Sequence, residues 1–358
     1  FGSSFAEHTS RIPHQAMRVS LALACAVSAA PTAASKHYTY WCIGNCKDDA
    51  KPSVSGGTIL MGGGTDTDTA FKQHIKWSGG GDFLVIRATG DDSYNTYIQG
   101  LASTHSVATL MTNDKQAAED PDVLDIIDRA DGIFFAGGDQ WTYLQEWQGT
   151  SMQKKIQAAV DRGVPVGGTS AGCDIQGGYI YTAENDSVES AEALENPFDK
   201  HVTLQESPFL LHPSKLLTNV VVDTHFITRD RMGRLAAFVA RLWKDGKKAF
   251  AIGIDEQTAI AIDASGKATM LQQGKDGGRA FVLMPTAGPE VCESGKDLEF
   301  SDITVQKLDA AYEDTFDFAS FSGGVSSQKY KISASRGRLS PSDPYSPPDD
   351  SRAASVVV

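Results

Sequence analysis

Apolar positions along this chain fall in short runs that end on glycine, with longer segments of mixed polarity between them. Thr58 to Met61 is such a run, followed by Gly62, Gly63 and Gly64, and Phe83 to Ile86 and Val107 to Met111 repeat the pattern. Short apolar runs bounded by turn signals predict buried strands, and helical or loop material between them predicts crossovers. Val123 to Ala130 predicts a helix, Gly132 to Ala136 a strand stopping at Gly137 and Gly138, Trp141 to Val160 a helix, and Val164 to Gly167 another strand. That order predicts an α/β protein: a three-layer sandwich around a mostly parallel sheet. Ligands of open α/β sheets bind beyond the carboxyl ends of the strands, so the glycine-terminated ends are where chemistry is expected.

The periodicity fails between positions 177 and 213, where Glu184, Asp186, Glu189, Glu192, Glu195 and Asp199 accumulate. This stretch predicts a long active-site loop or a small subdomain. Order returns with a strand over Leu217 to Val222, a helix over Arg231 to Lys244, and strand-rich segments over Ala249 to Ile262, Ala268 to Leu271 and Ala280 to Met284. Beyond Phe321 serine, proline and glycine prevail, and such a tail is expected not to order itself. Near the other end, Met17 and Arg18 precede an apolar run, Val19 to Ala29, then small residues and Pro31. That is the layout of a secretory signal peptide, with an apolar core too short for the ~20 residues of a membrane span. The expected organisation is an upstream segment and signal peptide over 1–35, a catalytic domain over 36–322 and an unstructured tail over 323–358, in a secreted protein.

With 358 residues, 41% of them hydrophobic, the chain can bury a full core. Its formal net charge of −13 repels phosphates and anionic lipid heads, which argues against a nucleic acid partner. Cys42 and Cys46 share a short segment with Gly44 and Asn45, where an oxidising compartment favours a local disulfide. A zinc site there would lack ligands, since only His37 is near. Cys173 and Cys292 suit buried core positions.

The sharpest local signal is Gly168, Thr169, Ser170, Ala171, Gly172, a G-x-S-x-G sequence directly after an apolar strand. Such a sequence builds a nucleophile elbow: a tight strand-to-helix turn that lifts the serine hydroxyl above the sheet, with the next backbone amide, here Ala171, aimed at a developing oxyanion. A serine nucleophile needs a base. Among His105, His201, His212 and His225, only His225 directly follows a buried-type strand, which makes it the candidate. The third member is a carboxylate that fixes the imidazole tautomer. Glu256 and Asp255, at the end of an apolar run, are candidates, and Glu184 and Asp186 are rivals; residue order alone leaves the choice open.

Together, FFAGGDQ at Phe134 to Gln140, GGTSAG at Gly167 to Gly172, DTHF at Asp223 to Phe226 with Arg229, Arg231 and Arg234 beyond it, and GIDEQTA at Gly253 to Ala259 resemble the cyanophycinases and the related aspartyl dipeptidases, peptidase family S51. The resemblance runs from about Gly57 to Met284. It implies a fold similar to the class I glutamine amidotransferase domain, no metal or other cofactor, and a serine-type exopeptidase with Ser170, His225 and Glu256 as its triad. It also implies that Gly138 and Ala171 supply the oxyanion amides. Asp139, Gln140, Asp223, Thr224, Arg229, Arg231 and Arg234 match the family's pocket for a β-linked aspartate, where guanidinium forks would pair with carboxylate. Two positions depart from the pattern: Thr224 replaces a glutamine, and Leu144 stands where a lysine is expected. The implied substrate is a peptide with β-linked aspartate, either the β-Asp-Arg polymer cyanophycin or a short aspartyl peptide. A cysteine enzyme of the amidotransferase kind and a secreted binding protein without activity are the competing readings, and a homodimer is left open.

Overall fold

The structure is a computed structural model and describes residues 37–212, 215–274, 278–324 and 327–346. The expected signal peptide and the last twelve positions of the expected tail lie outside the described residues.

Ten strands form the first sheet. Its centre is parallel, in the order Ser106–Met111, Asp82–Arg87, Gly132–Phe135, Val166–Thr169 and Gly57–Met61. Thr39–Gly44 runs antiparallel on one side. Thr258–Asp263, Lys267–Gln272, Thr315–Asp317 and Ser322–Gly323 continue the other side in antiparallel pairs. Successive side chains of a strand point to opposite faces, and both faces of the parallel centre are covered. Phe83, Val85 and Phe134 therefore pack with Phe71 and Ile75 of the helix Asp68–Trp77. Leu84, Ile86, Ile133 and Phe135 pack on the other side with Ile127 of Pro121–Asp128 and with Ile156 and Val160 of Ser151–Asp161. The α/β expectation and the parallel, helix-covered centre are both present.

A second sheet of six strands follows the order Arg338–Ser340, Gln328–Ser335, Phe300–Asp309, Arg279–Met284, Phe250–Ile254 and Val220–Asp223. Only its last pair is parallel. One face, with Val222, Ile252, Ile254 and Val282, packs on Leu60, Ile260 and Ile262 of the first sheet. The other, with Val221, Ala251, Phe281 and Leu283, lies under the helix Met232–Lys244. The run from Ala249 to Ile262 thus leaves one sheet at Ile254 and enters the other at Thr258, and the crossing carries Asp255 and Glu256.

Three expectations need correction. The helix over 141–160 is two helices, Gln140–Trp147 and Ser151–Asp161, separated where Gly149 takes φ +79° and Thr150 caps the second through Gln153 N. The tail after 323 contains the paired strands Gln328–Ser335 and Arg338–Ser340, with Tyr330, Ile332 and Ala334 buried. Alternation at 330, 332 and 334 carries that strand, and overall serine content concealed it. The acidic stretch holds a helix, Ser190–Glu195, with a reciprocal cap between Glu189 and Glu192; its Ala193 and Leu194 join the core beneath Met232–Lys244. No helix among the described residues is long and apolar enough to cross a membrane.

Candidate active site

The elbow forms where the strand Val166–Thr169 gives way to the short helix Ala171–Asp174. Ser170 between them has φ +52° and ψ −124°, a backbone region that costs an L-residue on the order of 1 to 3 kcal/mol. The flanking glycines are required by close approach: a Cβ at Gly168 would lie 2.1 Å from Gly172 O, and one at Gly172 would lie 2.2 Å from Phe135 O. Ser170 is thereby presented, part-buried, at the carboxyl ends of the parallel strands.

His225 arrives from the second sheet, two residues beyond Val220–Asp223. Its backbone is left-handed at φ +49°, and its N–H donates to Gly62 O at 2.7 Å. Its ring lies against Gly63, where a Cβ would come within 2.4 Å of Cε1. The glycines after Met61 therefore make room for the His225 ring, which their position after a strand signalled only in general. Nε2 of His225 is 2.8 Å from Ser170 Oγ, and Nδ1 is 2.5 Å from Glu256 Oε1. With Nδ1–H donated to the carboxylate, Nε2 is left as the acceptor for the serine proton.

Burial lowers the His225 pKa from its ordinary value; the hydrogen bond to Glu256 opposes that shift, and the charges of Arg229 and Arg231 add to it. The imidazole is thus held neutral and ready to accept a proton. Neither the Ala171 nor the Gly138 amide meets a protein acceptor among the described residues.

The neighbouring candidate acids are placed differently. Asp255 Oδ1 accepts from Ile227 N, Thr228 N and Thr228 Oγ1, each at 3.0 Å, and so ties down the turn after His225. Glu184 and Asp186 pair through an isolated backbone bridge in the acidic stretch, while His225 Nδ1 is taken by Glu256. The other described histidines are occupied elsewhere: His37 on Asp114, His105 on Asp82, His201 on Asp199, His212 on Thr58 and Gln176 O, and His74 on Pro165 O.

Several expected pocket residues are bonded into the protein itself. Asp223 is 1% exposed, and its carboxylate binds Arg234 at 2.9 Å to Nε and 2.6 Å to Nη2. Arg234, 2% exposed, also donates to Ser187 Oγ and Val188 O and lies over the Tyr181 ring. Both groups direct their hydrogen bonds into the protein. Thr224 is fully buried, its hydroxyl on Asp174, and Asp139 spends both oxygens capping the helix Gln140–Trp147. Leu144 is core. Arg229 is exposed beside His225, Asp139 is exposed at its helix cap, Gln140 is half-buried, and Arg231 is mostly buried, with its side chain 11% exposed. Arg231 holds Thr224 O at 2.9 Å and approaches Asp223 at 3.5 Å. Asp174, one turn after Ser170, went unnoticed in the sequence: burial and the Asp223 charge push its carboxyl up to about 8.

Cys42 and Cys46 are disulfide-bonded, while Cys173 and Cys292 are free and buried. Burial raises the Cys173 thiol well above its ordinary range, which suits core rather than nucleophile.

A model of peptidase family S51 matches residues 87–270, a segment that contains Ser170, His225 and Glu256. The cyanophycinase of Synechococcus elongatus is 31% identical over 170 residues, covering 47% of this chain and 47% of that protein. The cyanophycinase of Geminocystis herdmanii is 28% identical over 168 residues, 45% of this chain and 56% of the other. The chain thus spans about half the length of the curated relatives it matches. Among solved structures, a peptidase from an acI-B1 Actinobacterium aligns with a TM-score of 0.47 at 17% identity, covering 67% of this chain and 98% of its own. The family segment takes up more than half of the 358 residues and contains the hydrogen-bonded set Ser170, His225 and Glu256, and the chain belongs to peptidase family S51.

Proposed function

We propose that the protein is an exported serine-type exopeptidase that hydrolyses β-aspartyl peptide bonds of the β-Asp-Arg kind through an acyl-enzyme at Ser170. The observation that carries this reading is the hydrogen-bonded line from Ser170 Oγ through His225 to Glu256 on a strained elbow. As Oγ attacks the carbonyl carbon, Nε2 of His225 takes the hydroxyl proton. Glu256 holds Nδ1–H and offsets the imidazolium charge. The oxyanion meets the amides of Ala171 and Gly138, a stabilisation worth roughly 3 to 4 kcal/mol per donor in comparable sites. Collapse breaks the C–N bond, His225 returns the proton to the leaving amine, and water repeats the sequence on the ester.

Specificity rests on Arg229 and Arg231, the cations beside His225. A β-linked aspartate keeps its α-carboxylate free next to the scissile bond, and a guanidinium there gains charge-assisted bonds that a neutral amide does not. The cyanophycinase relatives support the same substrate class. Export is supported by the Cys42–Cys46 disulfide and by the signal-like run Val19 to Ala29. The deciding assay compares β-Asp-Arg polymer, β-Asp-Arg dipeptide and α-aspartyl dipeptides as substrates. Cleavage of the β-linked substrates with α-linked ones inert is the expected outcome; equal cleavage of both linkages would remove the β-aspartyl assignment.

A further inference from the structure

The turn that carries His225 is fastened from outside the family segment. Residues 226–232 run from the base to the first residue of the helix Met232–Lys244. Both His225 and Asp230 take left-handed backbone, at φ +49° and +47°. Such conformations persist only where the surroundings over-determine them. Part of that determination is inside the family segment, in Asp255 and Gly62. The rest comes from Tyr345, which follows the last strand of the second sheet.

The Tyr345 hydroxyl donates to Asp230 Oδ1 at 2.9 Å and accepts from Met232 N at 3.0 Å, with Phe226 O 3.4 Å away. Its ring stands edge-on to Phe226, the residue directly after His225, at 5.9 Å, and to Phe281 at 5.6 Å. One side chain therefore grips the start and the end of the turn. The grip is itself anchored: Tyr330 Oη donates to Pro344 O at 2.6 Å, and Lys307 Nζ donates to Tyr345 O at 3.0 Å. The family match ends at 270, so this contact lies 75 residues past it.

We infer that Tyr345 is a positioning residue: the segment around it clamps the 226–232 turn and holds His225 within reach of Ser170. The inference rests on the serine-type reading proposed above, because it assigns the clamp its effect through the base. It predicts that the clamp acts on the rate of serine activation and not merely on stability.

The test is the second-order rate of Ser170 labelling by a fluorophosphonate, measured across pH on the full chain and on Tyr345→Phe, which keeps the ring packing and loses only the hydroxyl. We expect labelling to slow about tenfold, as for loss of one hydrogen bond to a charged group. The acidic limb of the profile should also move to higher pH, because an imidazole released from its buried place between Glu256, Arg229, Arg231 and Ser170 regains its ordinary basicity. Tyr345→Ala should slow labelling further; if that variant does not fold, Tyr345→Phe decides alone. Wild-type rate and an unshifted limb in Tyr345→Phe would overturn the clamp while leaving the serine mechanism standing. A wild-type protein that takes no label at all would overturn the serine reading, and the clamp with it.

Discussion

Replacing Arg234 by alanine separates a substrate pocket from a structural ion pair, because the three arginines after His225 look alike in sequence and differ sharply in place. Arg234 and Asp223 are 2% and 1% exposed, joined through both carboxylate oxygens. Removing one partner of such a pair leaves the other charged and buried, at a cost of about 3 to 5 kcal/mol. For a domain of this size that lowers Tm by roughly 5 to 8 °C. Asp223→Ala should cost a similar amount, and the double variant should lose less than the sum, with a coupling of about 1 to 3 kcal/mol. Arg229→Ala removes an exposed side chain, so its Tm should stay within about 2 °C of wild type. It should instead lower kcat/KM about ten- to a hundredfold for a β-Asp-Arg peptide, and far less for the methyl ester of the aspartyl α-carboxylate. Thermal unfolding and steady-state kinetics on both substrates supply the numbers. An Arg234→Ala variant with wild-type Tm and a loss confined to the carboxylate substrate would refute the division of roles drawn here.

Three further outcomes follow from the same geometry. Glu256→Gln should lower kcat by about 10⁴, as for the corresponding change in comparable triads; Asp255→Asn should instead cost about 1 kcal/mol of stability with a modest rate loss, and the reverse ranking in kinetics and melting would exchange their roles. Ser170→Gly should melt higher than wild type by the equivalent of about 1 kcal/mol, since glycine relieves the strain at φ +52°; an unchanged or lower Tm would show the elbow to be unstrained. His74 and His212 are buried with pKa values lowered from 6.5 to about 4, so the folded state keeps them neutral where the unfolded chain protonates them. Their contribution is complete above pH 6.5 and is lost as pH falls toward about 4, up to roughly 3 kcal/mol each, so a Tm that does not fall across that window would contradict their placement.

Much of this was legible in the residues because the signals were local. Glycine-ended apolar runs located the parallel centre of the first sheet, and an elbow motif carries its own geometry, so Ser170 needed no fold to be found. His225 was reachable by asking which histidine follows a buried strand. Glu256 against Asp255 was not: neighbours at a strand end differ only in which way they turn, and the hydrogen bonds of Ile227 and Thr228 to Asp255 decide it. The different surroundings of the three arginines are hidden from the sequence for a related reason. Motif spacing places Arg229, Arg231 and Arg234 together, while the packing of Met232–Lys244 against the second sheet turns Arg234 inward to Asp223. The C-terminal strands are masked by a serine-rich composition that dilutes the alternation at Tyr330, Ile332 and Ala334, and with them the contact of Tyr345 to the turn after His225.

The central claim, an acyl-enzyme at Ser170, is tested most directly by quenching the protein during turnover of a β-Asp-Arg peptide and mapping the adduct by mass spectrometry. The account predicts an aspartyl ester on the peptide containing Ser170, formed through the β-carboxyl, present in wild type and absent from Ser170→Ala. An adduct on Cys173, or sustained turnover by Ser170→Ala at more than about a tenth of the wild-type rate, would contradict it.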